Sequence, residues 1–161
     1  MSKIAPRPSI RFEPLAEHHL PAIVEIEKAT NTAPWSERSF RHEISNPHAV
    51  FIAAVSEGKV VGYGGIWLVV DEAHVTTIAI EESLRRQGAG RKLMVELLRA
   101  AQEKGLSCST LEVRASNEAA IKLYETLGYV QTARRRSYYP DNREDAIVMW
   151  LHGLQNWEPA R

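Results

Sequence analysis

The chain has 161 residues, 44% of them hydrophobic and 25% charged, and its 20 Lys and Arg balance its 20 Asp and Glu. That length suits one domain that buries its own core. The charge balance argues against the broad positive field that draws proteins to nucleic acid, and no apolar run is long enough to cross a membrane. The lone cysteine, Cys108, rules out an internal disulfide, and the six histidines, His18, His19 and His74 among them, show no zinc-type spacing, so no metal is expected. Residues 1–9 lack an apolar signal core, which reads as a cytoplasmic chain.

In chain order, Ile10-Arg11-Phe12 forms a short strand candidate. After Pro14, Leu15, His19, Ala22, Ile23 and Ile26 recur at helical spacing. Asn31-Thr32-Ala33-Pro34 breaks that helix, and Ser36 is an apt N-cap for a second one through Ile44, ended by Asn46-Pro47. Residues 50–55, 60–70 and 73–80 are rich in β-branched and aromatic types, with a hairpin turn at Glu57-Gly58-Lys59, which predicts an antiparallel meander. From Gly90 the period changes: Leu93, Met94, Leu97, Leu98 and Ala101 mark an amphipathic helix closed by Gly105. A strand over 109–113, a helix over 117–127 closed by Gly128, and strands over 129–134 and 146–151 complete the pattern. One α+β domain over 1–161 is expected, with 1–8 and the tail 153–161 as flexible ends.

The most informative segment joins Ile78-Ala79-Ile80 through Arg85-Arg86-Gln87-Gly88-Ala89-Gly90-Arg91 into a helix. A helix N-terminus offers unpaired N–H groups and a positive dipole end, and glycines let an anion approach the backbone. Taken alone, the same residues also suit an ordinary turn with solvated arginines. The spacing matches neither a Walker loop nor a dinucleotide fingerprint.

Arg85-x-x-Gly88-x-Gly90 resembles the Q/R-x-x-G-x-G/A coenzyme A motif of the GNAT acetyltransferase superfamily. Within it, several segments in order resemble the ribosomal-protein-alanine N-acetyltransferases called RimI. They are Pro34-Trp35-Ser36, Asp71-Glu72-Ala73, Leu111-Glu112-Val113-Arg114-Ala115-Ser116-Asn117, Leu123-Tyr124, Gly128-Tyr129 and Arg136-x-Tyr138-Tyr139-Pro140. The resemblance implies the GNAT acyl-CoA N-acyltransferase fold, a mixed, mostly antiparallel sheet flanked by helices. It implies acetyl-CoA as co-substrate, held by Ile78, Ala79 and Ile80 along a strand edge, by Arg85, Arg86, Gln87, Gly88, Ala89, Gly90 and Arg91 at the pyrophosphate, and by Asn117. The acceptor it implies is a protein N-terminus, classically the alanine of a small-subunit ribosomal protein, with no direct nucleic-acid or membrane partner. Relatives that acetylate lysines or small-molecule amines, and a non-catalytic acyl-CoA-binding module, are the alternatives.

Glu112 alternates with Leu111 and Val113, so it faces away from their side of the strand. A carboxylate there suits a general base or simply a solvated sheet face, and the resemblance assigns the base. Tyr124 lies on the apolar face of its helix, where an aromatic packs in the core; the resemblance makes it the acid that protonates the departing thiolate. Asn117 is also an apt N-cap. Tyr138 and Tyr139, with Trp35 as a facing wall, are expected to hold the acceptor. The run Arg134-Arg135-Arg136 reads as a solvated strand edge, and Cys108 as structural.

Overall fold

The computed structural model describes residues 9–160. Its seven strands form one sheet in the order β1-β2-β3-β4-β5-β7-β6, with β1 at Ile10–Pro14, β2 at Ala49–Ser56, β3 at Lys59–Val69, β4 at Glu72–Ile80, β5 at Cys108–Arg114, β6 at Val130–Arg135 and β7 at Ala146–His152. Only the β4–β5 pair is parallel; all the others are antiparallel. The first hairpin forms because Glu57 and Gly58 both adopt positive φ, 52° and 77°, the two-residue geometry that matches strand twist.

Four α-helices cover the sheet unequally: α1 (Leu20–Thr30), α2 (Glu37–Ile44), α3 (Ala89–Glu103) and α4 (Glu118–Thr126). α1 starts later than the apolar spacing suggests. A 3₁₀ turn at Glu17–His19 comes first, and Pro21 sits in the first turn of α1, where its missing N–H costs nothing. α2 begins as expected, with Ser36 Oγ accepting from the Ser39 N–H at 3.1 Å. Phe51, Ala53 and Tyr63 pack against α1 and α2 on one face. The other face buries Ile66, Leu111, Val113 and Met149 against Met94, Leu97 and Leu98 of α3 and Ile121 and Tyr124 of α4. Deleting one such side chain, as in Leu97→Ala, costs about 2–5 kcal/mol.

The tail departs from expectation. Leu154 is fully buried and Trp157 is 9% exposed. Gly153, at φ 67°, turns the chain back. Gln102 Nε2 then donates to the Leu154 and Trp157 carbonyls at 2.8 and 2.7 Å, and Trp157 Nε1 donates to Leu127 O at 2.7 Å. Residues 153–157 are therefore pinned under α3 rather than frayed, because an aromatic and a leucine bury there and a glutamine satisfies the backbone around them. The other expected flexible end, 1–8, lies outside the described residues. No helix among those described is long and apolar enough to cross a membrane.

Two irregularities make room for a site. β4 and β5 pair only where Glu72, Ala73 and His74 meet Cys108, Ser109 and Thr110, although β4 runs on to Ile80 and β5 to Arg114. Thr76 is the extra residue of a bulge, since Ile66 pairs with Val75 and Gly65 with Thr77. Bulges bend and twist the strand that carries them, and beyond Thr76 the parallel pair splays open.

Candidate active site

The split exposes one edge of β4. Glu81 N–H donates back to Val61 O at 2.7 Å, and backbone direction alternates along a strand, so Ile80 and Ile78 turn their N–H groups to the open edge while Ala79 faces β3. On the same edge, Arg85 Nε donates to Ile80 O at 3.2 Å. That bond engages only Nε of Arg85, and the residue stays exposed.

After β4 the chain makes a 3₁₀ turn at Glu82–Leu84 and enters α3 through two left-handed residues, Arg86 (φ 68°) and Gly88 (φ 82°). Gly88 is the N-cap and offers no side chain; the first turn carries no acid. Lys92 N–H bonds to Gly88 O at 3.1 Å, which leaves the amides of Ala89, Gly90 and Arg91 directed out of the helix end. Arg85, Arg86 and Gln87 are exposed beside them, and the Arg91 guanidinium donates to Ala160 O in the tail. A Cβ on Gly88 would meet nothing within 4 Å, and one on Gly90 would lie 3.8 Å from Leu123 and 3.9 Å from Ile80. An uncapped helix end ringed by arginines fits a polyanion such as a pyrophosphate. It abuts both the open strand edge and the helix that carries Tyr124.

α1 and α2 cover β2 to β4 but leave the same face of β5, β7 and β6 bare. There a groove of about 760 Å³ gathers Trp35, Trp67, His74, Glu112, Tyr138 and Tyr139. Leu111 and Val113 are buried at 4% and 6%, so alternation turns Glu112 into the groove, where 30% of its side chain is accessible. Arg135 Nε lies 3.1 Å from Glu112 Oε1, and the proximity of the Glu112 carboxylate to the Tyr138 hydroxyl pushes the Tyr138 pKa up. Tyr124 is 7% exposed and packs edge-on to Tyr129 at 5.9 Å. Burial, with a smaller push from Tyr139, raises its pKa to about 12. Asn117 Oδ1 caps α4 by accepting from Ala120 N–H at 3.2 Å, and its amide NH₂ is not engaged in that bond.

Residues 20–129 match the model of the acetyltransferase (GNAT) family. The chain belongs to the GNAT acetyltransferase family. It is 41% identical over 134 residues to the ribosomal protein bS18-alanine N-acetyltransferase of Escherichia coli K12, covering 82% of this chain and 90% of that one. The crystal structure of the ribosomal-protein-S18-alanine N-acetyltransferase from Escherichia coli superposes with a TM-score of 0.82 at 37% identity, over 90% of this chain and 94% of that one. Arabidopsis thaliana NAA60, in a crystal structure with acetyl-CoA, shares the fold alone: TM-score 0.81 at 18% identity, over 89% of this chain and 99% of that one.

In this acetyltransferase several residues to which the sequence gave no task support the groove walls. Arg114 stacks 4.0 Å over the Tyr139 ring. It also pairs with Asp141 at 3.0 Å and Glu144 at 3.4 Å. Asp141 Oδ2 in turn accepts from Thr32 Oγ1 at 3.2 Å, which joins the β6–β7 loop to the α1–α2 loop across the groove. Desolvation opposes ionisation of Asp141, but hydrogen bonds from Arg114, the Asn142 backbone and Thr32 together hold its pKa below the usual value. Hydrogen bonds from Ser116 do the same for Glu144. Under Trp35, the buried Glu27 accepts from Tyr63 Oη, from Asn31 Nδ2 at 2.9 Å and from Trp35 N–H at 3.4 Å. Trp35 is thereby set 6.3 Å from Trp67, ring to ring. β6 is exposed along its length, as a solvated edge should be, yet Arg135 leaves that edge for Glu112 while Arg134 pairs with Asp145 at 2.8 Å.

Glu13, His18 and His19, far apart from any zinc-like spacing, converge to within 4.8 Å of one another. His19 Nδ1 accepts from Ala16 N–H at 2.9 Å, and its Nε2 faces Glu13 at 2.7 Å. That wiring requires the proton on Nε2, so the ring serves as a buried cap and offers no lone pair to a metal.

Proposed function

We propose that this acetyltransferase moves the acetyl group of acetyl-CoA to the N-terminal amine of a protein in the cytoplasm, an alanine-starting ribosomal protein of the bS18 kind. The observation that carries the reading is the junction of two half-sites at one strand split. The uncapped start of α3 suits the pyrophosphate of the co-substrate, and the groove across the sheet suits an extended acceptor. The name borne by the relative at 41% identity supports the same acceptor.

In this reading the pyrophosphate takes the amides of Ala89, Gly90 and Arg91, with Arg86 and Gln87 beside them, and the acyl chain lies along the free edge at Ile78 and Ile80. The Asn117 amide adds a donor. The acceptor amine, with a reference pKa near ~8, loses its proton to Glu112, directly or through a water, as its lone pair attacks the thioester carbonyl. The C–N bond forms, the carbonyl oxygen gains charge opposite the Ile80 N–H, and collapse of the intermediate breaks the C–S bond. Tyr124, kept protonated by burial, gives its proton to the leaving thiolate. Tyr138, Tyr139 and Trp35 wall the groove and hold the first residues of the acceptor.

The test is steady-state thiol release with acetyl-CoA and three acceptors: a peptide with a free N-terminal alanine, the same peptide N-blocked and carrying an internal lysine, and a polyamine. Turnover confined to the first is expected. Activity on the polyamine or the blocked peptide alone would overturn the assignment. Glu112→Gln should lower kcat by about 10²–10⁴-fold and leave acetyl-CoA affinity intact.

A further inference from the structure

The register of the bare sheet face sets four side chains side by side. Trp67 pairs with His74, His74 with Thr110 and Thr110 with Trp150. All four line the groove that holds Glu112, so one row of side chains crosses the sheet at right angles to the strands. Ring, ring, hydroxyl and ring follow one another, and nothing in the motif-bearing segments marked Trp67, His74 or Trp150 as a set.

Each ring is fixed from behind. Trp67 Nε1 donates to Glu43 Oε2 at 2.9 Å, leaving the indole 40% exposed. His74 Nε2 lies 2.9 Å from Glu72 Oε1. Trp150 stacks on His152 with an interplanar angle of 3° and 5.6 Å between ring centres. Thr110 is tied down by its own bond to Met149 O at 2.9 Å and rises less than its neighbours. The row therefore has a low polar floor between His74 and Trp150, whose backbones are two strand spacings apart, about 9.5 Å. A gap of that width admits one flat group with a ring on either side.

The row also has a fixed distance from the reacting centre. Thr110 and Glu112 are two residues apart on the same face of β5, a step of about 6.6 Å. An extended acceptor advances about 3.3–3.6 Å per residue. An acceptor whose amine meets Glu112 and whose chain runs back along the groove brings its third residue over the row. We propose that Trp67, His74, Thr110 and Trp150 form a subsite for a flat side chain, aromatic or guanidinium, on the third residue of the acceptor. The inference rests on the N-terminal acetylation reading above.

The experiment uses the full chain with alanine-starting peptides that differ only at residue 3, carrying Phe, Arg, Leu or Glu. Stacking geometry contributes beyond area burial, so KM for the Phe peptide, the Arg peptide or both should be at least about threefold below that for Leu. Which of the two gains identifies the flat group. Trp150→Leu, or His74→Ala at a partly exposed position that folding tolerates better, should bring the ratio to about one while KM for acetyl-CoA stays put. A wild-type enzyme that acetylates all four peptides with equal KM overturns the subsite and leaves the functional reading standing. So does a preference that survives both substitutions. A wild type that acetylates none of them overturns both.

Discussion

Gly88→Ala separates what the glycine does for the fold from what it does for a ligand. At φ 82° an added Cβ meets no heavy atom within 4 Å, so the unliganded protein suffers no clash. It bears only the left-handed backbone, about 1–2 kcal/mol for an L-residue, offset by about 0.4–1 kcal/mol of lost unfolded-state freedom. The net loss of about 1 kcal/mol should lower Tm by roughly 2–4 °C in a chain of this size. If the pyrophosphate binds at the α3 amides as proposed, the methyl group on the N-cap residue intrudes on it. Losing one hydrogen bond to a charged group costs about 1.5–3 kcal/mol, so coenzyme A affinity by calorimetry should fall about 10- to 100-fold. Gly105→Ala is the internal control: its φ is 78°, its surroundings are equally empty, and it follows the far end of α3. Both variants should melt alike, and only Gly88→Ala should lose affinity. Equal affinity in the two would refute the assignment of this loop to the co-substrate.

Burial raises the Tyr124 pKa to about 12 in the unliganded enzyme; kcat/KM should rise through the free-amine pKa near ~8 and show no falling limb below pH ~11. A limb near 10 would remove Tyr124 as the acid, and Tyr124→Phe should lower kcat while sparing acetyl-CoA binding. Arg114→Lys keeps a charge but loses the two-pronged pairing and the stacked plane over Tyr139, so the peptide KM should rise about 3- to 10-fold with KM for acetyl-CoA unchanged; an unaltered peptide KM would show that the loop holds itself. The folded-state pKa values of Asp141 and Glu144 are depressed, so their contribution is present above the ordinary carboxylate pKa of about 4 and is lost as pH falls through the lower folded values. Between pH 6 and pH 3 the Tm should therefore fall more steeply below about pH 4 in the wild type than in Arg114→Leu, which removes the Arg114 pair from Asp141 while Glu144 keeps its Ser116 bond. Parallel curves would refute the coupling.

The elements were legible in the sequence because each is a local matter. Apolar spacing in 93–101 and 109–113 fixed a helix and a strand, Ser36 and Asn117 supplied caps, and Gly58 and Gly88 took the left-handed angles their turns require. The uncapped start of α3 was legible for the same reason, since a helix start is built from consecutive residues. The pinned tail was not legible, because Trp157 and Leu154 find their cover on α3 and on Leu127, across the fold.

What the sequence determined by itself was which short segments form strands, helices and an anion-ready turn, and through its motifs the family to which they belong. What only the tertiary structure decided was the groove. The splaying of β4 from β5 after three residues depends on a bulge at Thr76, and a bulge is a relation between two strands. The meeting of Arg135 with Glu112, of Thr32 with Asp141, and of Trp67 with His74 and Trp150 depends on register and on loops brought together from opposite ends of the chain. Local periodicity carries no information about such pairs, because side chains tens of residues apart become neighbours only when the whole sheet closes.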